Sequence, residues 1–275
     1  MSAIGLVVGS CGGSPAAPDG DESPPDVVFV TFCTMRADRW GVYGGGELTP
    51  NLDALAGEGT VFRSHYTQAP FSGASFASII TGRYPAAHGI YDHPRRLADH
   101  NTTLAELFEQ SGYATGGFLT HAYLRPKWNY LQGLEVYNGF DRSQLGVRAL
   151  TRRPAGSAGA QVARALEWVG GVEDRPFFLW FQTQLTHYFP RIKPPFVAED
   201  DLRAARELQE LVKDSSNAHR MFAFDSLGAD AELVQGYLAA YEGAVSRSDH
   251  LLGRLLDGLE ELGRLKNTVI VAVSY

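Results

Sequence analysis

The sequence predicts an α/β fold with a mostly parallel central sheet flanked by helices. Three observations carry that prediction. The runs 26-DVVFVTF-32, 176-PFFLWFQT-183 and 267-NTVIVAVS-274 are continuous, β-branched or aromatic and of strand length, as strands buried on both faces require. Segments of helical character separate them, which is the βαβ signature of parallel pairing. No internal repeat offers a competing architecture.

The elements follow in order. After the first strand, Thr49-Pro50 and NLDALAGEG read as an N-cap, a proline in the first helical turn, a short helix and a glycine stop. TVFRSHYTQ (60–68) is a strand candidate and GASFASIITG (73–82) a helix of small and apolar residues ended by glycine. TTLAELFEQSG (102–112) is amphipathic and precedes the strand YATGGFLT (113–120). Residues 158–171 read as a helix, 199–213 as a polar helix, and 231–262 as one or two longer helices before the closing strand.

A chain of 275 residues that is 44% hydrophobic, with 4 Trp, 12 Tyr and 15 Phe, supports a sizeable core. Its formal net charge of -7, without a Lys/Arg-rich run, argues against a nucleic-acid partner. Two cysteines, Cys11 and Cys33, are too few for a disulfide framework, and no apolar run reaches the ~18 residues of a spanning helix.

The opening residues 1-MSAIGLVVGSC-11 place an apolar run before Cys11, and 12-GGSPAAPDGDESPP-25 follows. This resembles a bacterial lipoprotein signal with a cysteine to be acylated and a Gly/Pro/Ser/Asp tether. The other reading is a tail with an incidental cysteine. Residues 1–25 are thus expected to be leader and tether, with the fold in 26–275. The implied location is the bacterial cell envelope, with membrane contact only through a lipid on Cys11.

In parallel sheets ligands bind beyond the carboxyl ends of the strands. Four polar clusters lie there: Cys33 to Arg39, Thr120-His121, Gln182 to His187, and Ser274-Tyr275.

The stretch VTFCTMRADRWGVYGGGELTPNLDALAGEGTVFRSHYTQAPFSGASFASIITGRYPAAHGI (30–90) resembles the N-terminal half of the sulfatase family, in the alkaline phosphatase superfamily. SGYATGGFLTHAYL (111–124), FFLWFQTQLTHYFPRIKPPF (177–196) and residues 237–274 continue the pattern in the family's order. The resemblance covers about 26–275 and implies an alkaline-phosphatase-like α/β fold whose C-terminal part is missing. It also implies a hydrolase of sulfate esters. A hydroxyl nucleophile, often a formylglycine hydrate, attacks the ester beside a divalent cation, most often calcium, which with preorganised donors stabilises the growing charge. The implied partner is a sulfated or phosphorylated small molecule or carbohydrate. Phosphate or phosphonate esters are an alternative within the superfamily, and a degenerate family member acting at most as a binding module is another.

The resemblance assigns roles residue by residue. Ser72, in 72-SGASF-76, falls at the nucleophile position before a helix whose N–H groups favour an anion; the plain alternative is an N-cap serine. The modification motif wants Arg where Phe76 stands, so Ser72 is expected to remain unmodified rather than become formylglycine. Cys33 and Thr34 occupy metal-ligand positions. A thiol is a poor ligand for calcium or magnesium, and the alternative for Cys33 is a buried, inert cysteine. His187 matches the histidine that protonates the leaving group, and otherwise is a surface histidine in a loop. His121 is either pocket lining or solvent contact, and Lys193 either a substrate cation or a snorkelling surface lysine. Gln182 stands where histidine is common. Arg36 and Asp38 read as an ion pair in a turn, His88 as loop packing, and Glu242 and Asp249 as a solvated helix face. The second metal motif gives way to Ser274-Tyr275. Taken together these departures lead to an expectation of impaired turnover, and of an exposed apolar edge on the last strand.

Overall fold

The computed structural model describes residues 6–10, 23–92, 95–139, 158–214 and 230–275. Seven strands form one sheet: β1 (Leu6–Ser10), β2 (Asp26–Phe32), β3 (Gly59–Val61), β4 (Ala114–Leu119), β5 (Val136–Asn138), β6 (Phe177–Thr183) and β7 (Thr268–Ser274). Their order is β3-β1-β7-β2-β6-β4-β5. The five strands from β7 to β5 run parallel, with β2 between β6 and β7. β1 is antiparallel to both neighbours. The mostly parallel sheet expected from the uninterrupted apolar runs is therefore present.

Successive side chains on a strand point to opposite faces, and the core divides accordingly. Val28, Val30 and Phe32 of β2, with Phe177, Leu179 and Phe181 of β6, face one cluster. It is completed by α1 (Pro50–Gly57), α5 (Ala158–Gly170) and α7 (Ala231–Glu261) through Leu52, Val162, Leu252 and Leu255. Phe29, Phe178 and Trp180 face the other cluster, built by α2 (Ser72–Thr81) and α4 (Leu104–Gln110) with Phe76, Ile80 and Ala105. Both faces of the sheet are covered. A short α3 (Pro85–His88) follows α2, and α6 (Glu199–Asp214) packs on α7 through Leu202, Ala205, Ala240 and Ala244. No helix among the described residues is long and apolar enough to cross a membrane.

Four findings differ from the expectations. Leu6–Ser10, placed by the sequence reading in the leader, forms β1 and pairs with Val269 to Val273 of β7. The expected open edge on β7 is thereby occupied, because β7 has β2 on one side and β1 on the other. Cys11 lies outside the described residues. A cleaved leader and β1 exclude one another in the same mature chain, since cleavage before Cys11 removes the strand.

The 60–68 segment is a strand only through Val61. Beyond it the Thr67 hydroxyl donates to the Ala69 carbonyl and lies 3.1 Å from the Ser75 hydroxyl, so the chain turns onto α2 instead of extending the sheet. The 231–262 region is a single helix. Asp249 is not on a solvated face. It is 1% exposed and accepts from the backbone N–H of Asn51 (3.0 Å) and Leu52 (2.8 Å) and from the Asn51 amide (2.7 Å). It therefore caps α1 across the core, while the Thr49 hydroxyl accepts from Gly41 N–H instead.

Candidate active site

The carboxyl ends of β2, β4, β6 and β7 meet in a chain of neutral hydrogen bonds. Thr120, just past β4, donates from its backbone N–H (2.8 Å) and its hydroxyl (3.1 Å) to the Gln182 side-chain oxygen. Gln182 Nε2 donates to the Tyr275 hydroxyl at 2.9 Å. That hydroxyl in turn hydrogen-bonds the Cys33 thiol. Main-chain bonds continue the strands into the same place, from Cys33 N–H to the Thr183 carbonyl (3.0 Å) and from Tyr275 N–H to the Phe32 carbonyl (3.1 Å). The Thr186 hydroxyl also donates to the Cys33 carbonyl.

Phe76, on the second turn of α2, covers this chain. Its ring lies 4.3 Å from that of Tyr275, 5.0 Å from His121 and 6.1 Å from Trp180. A fully buried phenyl is thus accounted for by packing at a place where a cation was expected. Burial pushes the Cys33 thiol up to about 11 and the Tyr275 phenol well above its ordinary value, so both are neutral at pH 7.

Outside this chain lies a cavity of about 990 Å³, whose lining includes Thr34, Met35, Tyr66, Phe71, Ser72 and Tyr275. Ser72 is half-buried and is the first residue of α2; Phe71 holds the N-cap position, with no side-chain cap bond. The N-cap alternative for Ser72 is therefore set aside. Thr34 is exposed and has φ 50, a left-handed conformation that costs a β-branched residue about 1–3 kcal/mol. Two bonds hold it there: its N–H donates to the Tyr275 carbonyl (2.9 Å), and its carbonyl accepts from the Tyr241 hydroxyl (2.8 Å). Arg36 and Asp38 at the cavity rim form the expected ion pair at 2.6 Å. Both are well exposed, so the pair contributes little to stability.

The histidines divide. His121 is buried, its Nδ1 accepts from the Tyr123 N–H (3.0 Å), and burial, with His187 nearby, pulls it down to about 4. It is buried against Phe76 and Tyr123 and is not among the residues lining the cavity, so it is neither pocket lining nor solvent contact. His187 is exposed in the turn Leu185–Arg191 and is not among the residues lining the cavity; desolvation lowers its pKa. Lys193 is exposed in the following loop and is not among the residues lining the cavity. His88 packs as expected, its Nε2 2.9 Å from the Ser78 hydroxyl. Glu242 pairs with Arg39 at 3.2 Å. The sequence reading missed Tyr241 and Tyr66, whose contributions depend on helix packing and a loop path that no local pattern records.

Calcium or magnesium requires several hard oxygen ligands, carboxylates first. Here the strand ends offer a buried thiol, an amide and a phenol already engaged with one another, beneath an aromatic ring. No group of three or more His, Cys, Asp or Glu side chains among the described residues could hold a metal ion. The residues at Cys33 and Thr34 do not fit the cation that was expected of them.

A mostly parallel sheet covered on both faces, with a helix-borne serine at a cavity past its carboxyl edge, defines an α/β architecture with a candidate site at its strand ends. The Sulfatase family model matches residues 25–274, and the chain belongs to the sulfatase family. It is 27% identical to an arylsulfatase of Clostridium perfringens, covering 91% of this chain and 62% of that protein. It is also 27% identical to the N-acetylgalactosamine-6-sulfatase of Canis lupus familiaris, over 98% of this chain and 53% of the relative. The chain thus spans between half and two thirds of the length of these relatives. Among solved structures, the phosphonate monoester hydrolase of Agrobacterium radiobacter superposes with a TM-score of 0.67 at 18% identity, covering 91% of this chain and 62% of that one. This likeness speaks for the fold.

Proposed function

We propose that this chain is a sulfatase-type hydrolase by descent that receives a sulfate ester of a carbohydrate at the α2 cavity and turns it over poorly. The observation that carries the proposal is the position of Ser72. It opens a ten-residue helix at a cavity it shares with Thr34 and Tyr275, which come from adjacent strand ends. The first turn of such a helix presents backbone N–H donors and the positive end of the helix dipole to a tetrahedral oxyanion. A carbohydrate substrate is supported by the N-acetylgalactosamine-6-sulfatase relatives.

Poor turnover is supported by three features. The nucleophile position holds a serine whose modification motif is broken at Phe76, so Ser72 stays a serine. An intact-peptide mass lacking two hydrogens at Ser72 would contradict this. His187 is not among the residues lining the cavity, so it does not stand beside the leaving oxygen to protonate it. The third is the misfit between the strand-end residues and a divalent cation; each lost transition-state contact of this kind costs on the order of 10²–10³ in rate.

Phosphonate or phosphate monoesters are a second reading, favoured by the likeness to the phosphonate monoester hydrolase and by the indifference of a helix N-terminus to which oxyanion it meets. Envelope anchoring through Cys11 belongs to the proposal for a processed form of the chain, in which cleavage before Cys11 has removed β1 and uncovered β7. Its support is the apolar run and the tether composition, and its check is radiolabelled palmitate incorporation lost in Cys11→Ser.

Calorimetric titration with N-acetylgalactosamine 6-sulfate and with its unsulfated parent tests the substrate reading. Saturable binding of the sulfated sugar that weakens at least tenfold without the sulfate is expected. Equal affinity for the two sugars, or tighter binding of phenylphosphonate, overturns it.

A further inference from the structure

We propose that the hydrogen-bonded chain Thr120–Gln182–Tyr275–Cys33, roofed by Phe76, stands in place of a divalent cation, so that the neighbouring cavity takes its ligand without metal. The position of the cavity rests on the functional reading above; the claim about the chain of bonds does not.

Its first support is completeness. The Gln182 side-chain oxygen takes two bonds from Thr120, its amide nitrogen gives one to Tyr275, and the Tyr275 hydroxyl gives one to Cys33. Each of these side chains is engaged by another residue of the same set, and no carboxylate stands among them. A cation site is the reverse: several oxygens converge and wait for the charge. The second support is packing. Cys33 and Phe76 are each 0% exposed, and the Phe76 ring rests against Tyr275 and His121. A hydrated ion would have to displace that ring and break the Gln182–Tyr275 bond. The third is the way the strand ends are fastened. Ser274 donates its hydroxyl to the Phe32 carbonyl (3.2 Å) and accepts from Met35 N–H (3.1 Å), and Thr34 N–H goes to Tyr275. These bonds join β2 to β7 directly, where a bridging ion would otherwise have to.

The assembly is therefore a cross-strand clasp made of neutral groups. Neutral donors and acceptors in a dry site bind one another with no charge to desolvate, which an ion-based clasp cannot avoid.

The test uses the full chain freed of metal with EDTA. Terbium luminescence and calorimetric titration with calcium and magnesium are expected to give no saturable signal, and the urea midpoint to be unchanged by either ion. Saturable calcium binding that Cys33→Ala or Tyr275→Phe abolishes overturns the proposal. Tyr275→Phe keeps the ring on Phe76 but cuts the clasp, and its urea midpoint is expected to fall equally with and without calcium. A midpoint unchanged by the substitution, or restored by calcium, counts against the clasp. The sulfated sugar, titrated in EDTA and again in calcium, separates the two readings. Equal affinity in both supports metal-free binding, and binding only in calcium overturns it. No sugar binding in either condition, with calcium also failing to bind, sinks the substrate reading while the clasp stands.

Discussion

Gln182 and Tyr275 lie 93 residues apart in sequence and meet through a 2.9 Å bond from the amide nitrogen to the phenolic oxygen. The pair joins β6 to the end of β7 across β2, at the carboxyl ends of the strands. Removing the hydroxyl in Tyr275→Phe strands the Gln182 amide and the Cys33 thiol in a dry site. The expected loss is about 1–3 kcal/mol in urea unfolding, the usual cost of a buried group left without its partner.

Thr34 pays for its left-handed backbone without a glycine's freedom. Two of its bonds are made by the main chain, while its side chain reaches the Cys33 thiol. Thr34→Gly keeps both bonds and removes the clash of a β-branched side chain at positive φ. A gain of about 1 kcal/mol in folding stability is expected, measured by thermal or urea unfolding. A loss instead would mean that the Thr34 side chain makes a contact worth more than the strain.

The pH dependence of stability follows from His121. Its folded value of about 4 lies below the ordinary 6.5. Between those values the unfolded chain takes up a proton that the folded chain refuses, so stability rises with pH across this window and is complete above it. The full effect is about 3 kcal/mol at 1.36 kcal/mol per unit. Chemical unfolding across the window, compared with His121→Asn, checks it. The asparagine oxygen can replace Nδ1 as acceptor for Tyr123 N–H, and the variant's profile is expected to be flatter.

Asp249 holds the first turn of α1 from within α7. Asp249→Ala leaves two backbone N–H groups and the Asn51 amide without their acceptor. A cost of about 2–3 kcal/mol is expected, above that of a surface N-cap, because the groups are inside. Asp249→Asn recovers part of this. An alanine variant as stable as the parent would return Asp249 to the solvated-face reading.

The sheet was legible because β2, β6 and β7 are buried on both faces, and such strands write continuous apolar runs. Strand β5 has three residues, too few for a period to show. β1 was hidden for a different reason: LVVG is as apolar as a leader's core, and only the partner strand tells them apart. The RAD turn and His88 behaved as their local chemistry suggested, since both depend on neighbours close in sequence. Cys33 reads as a poor metal ligand from its chemistry alone. What it does instead required knowing that Tyr275 and Gln182 meet beside it, and a contact across 93 residues leaves no trace in a single sequence. Asp249 was misread for the same reason, its partners being 197 and 198 residues away.

The most direct measurement of the central claim is the rate of aryl sulfate hydrolysis by the wild-type chain and by Ser72→Ala, side by side in calcium. A sulfatase descendant that receives the ester and barely turns it over is expected to give matching rates at the uncatalysed background. Robust turnover by the wild type that disappears in the alanine variant would contradict the account.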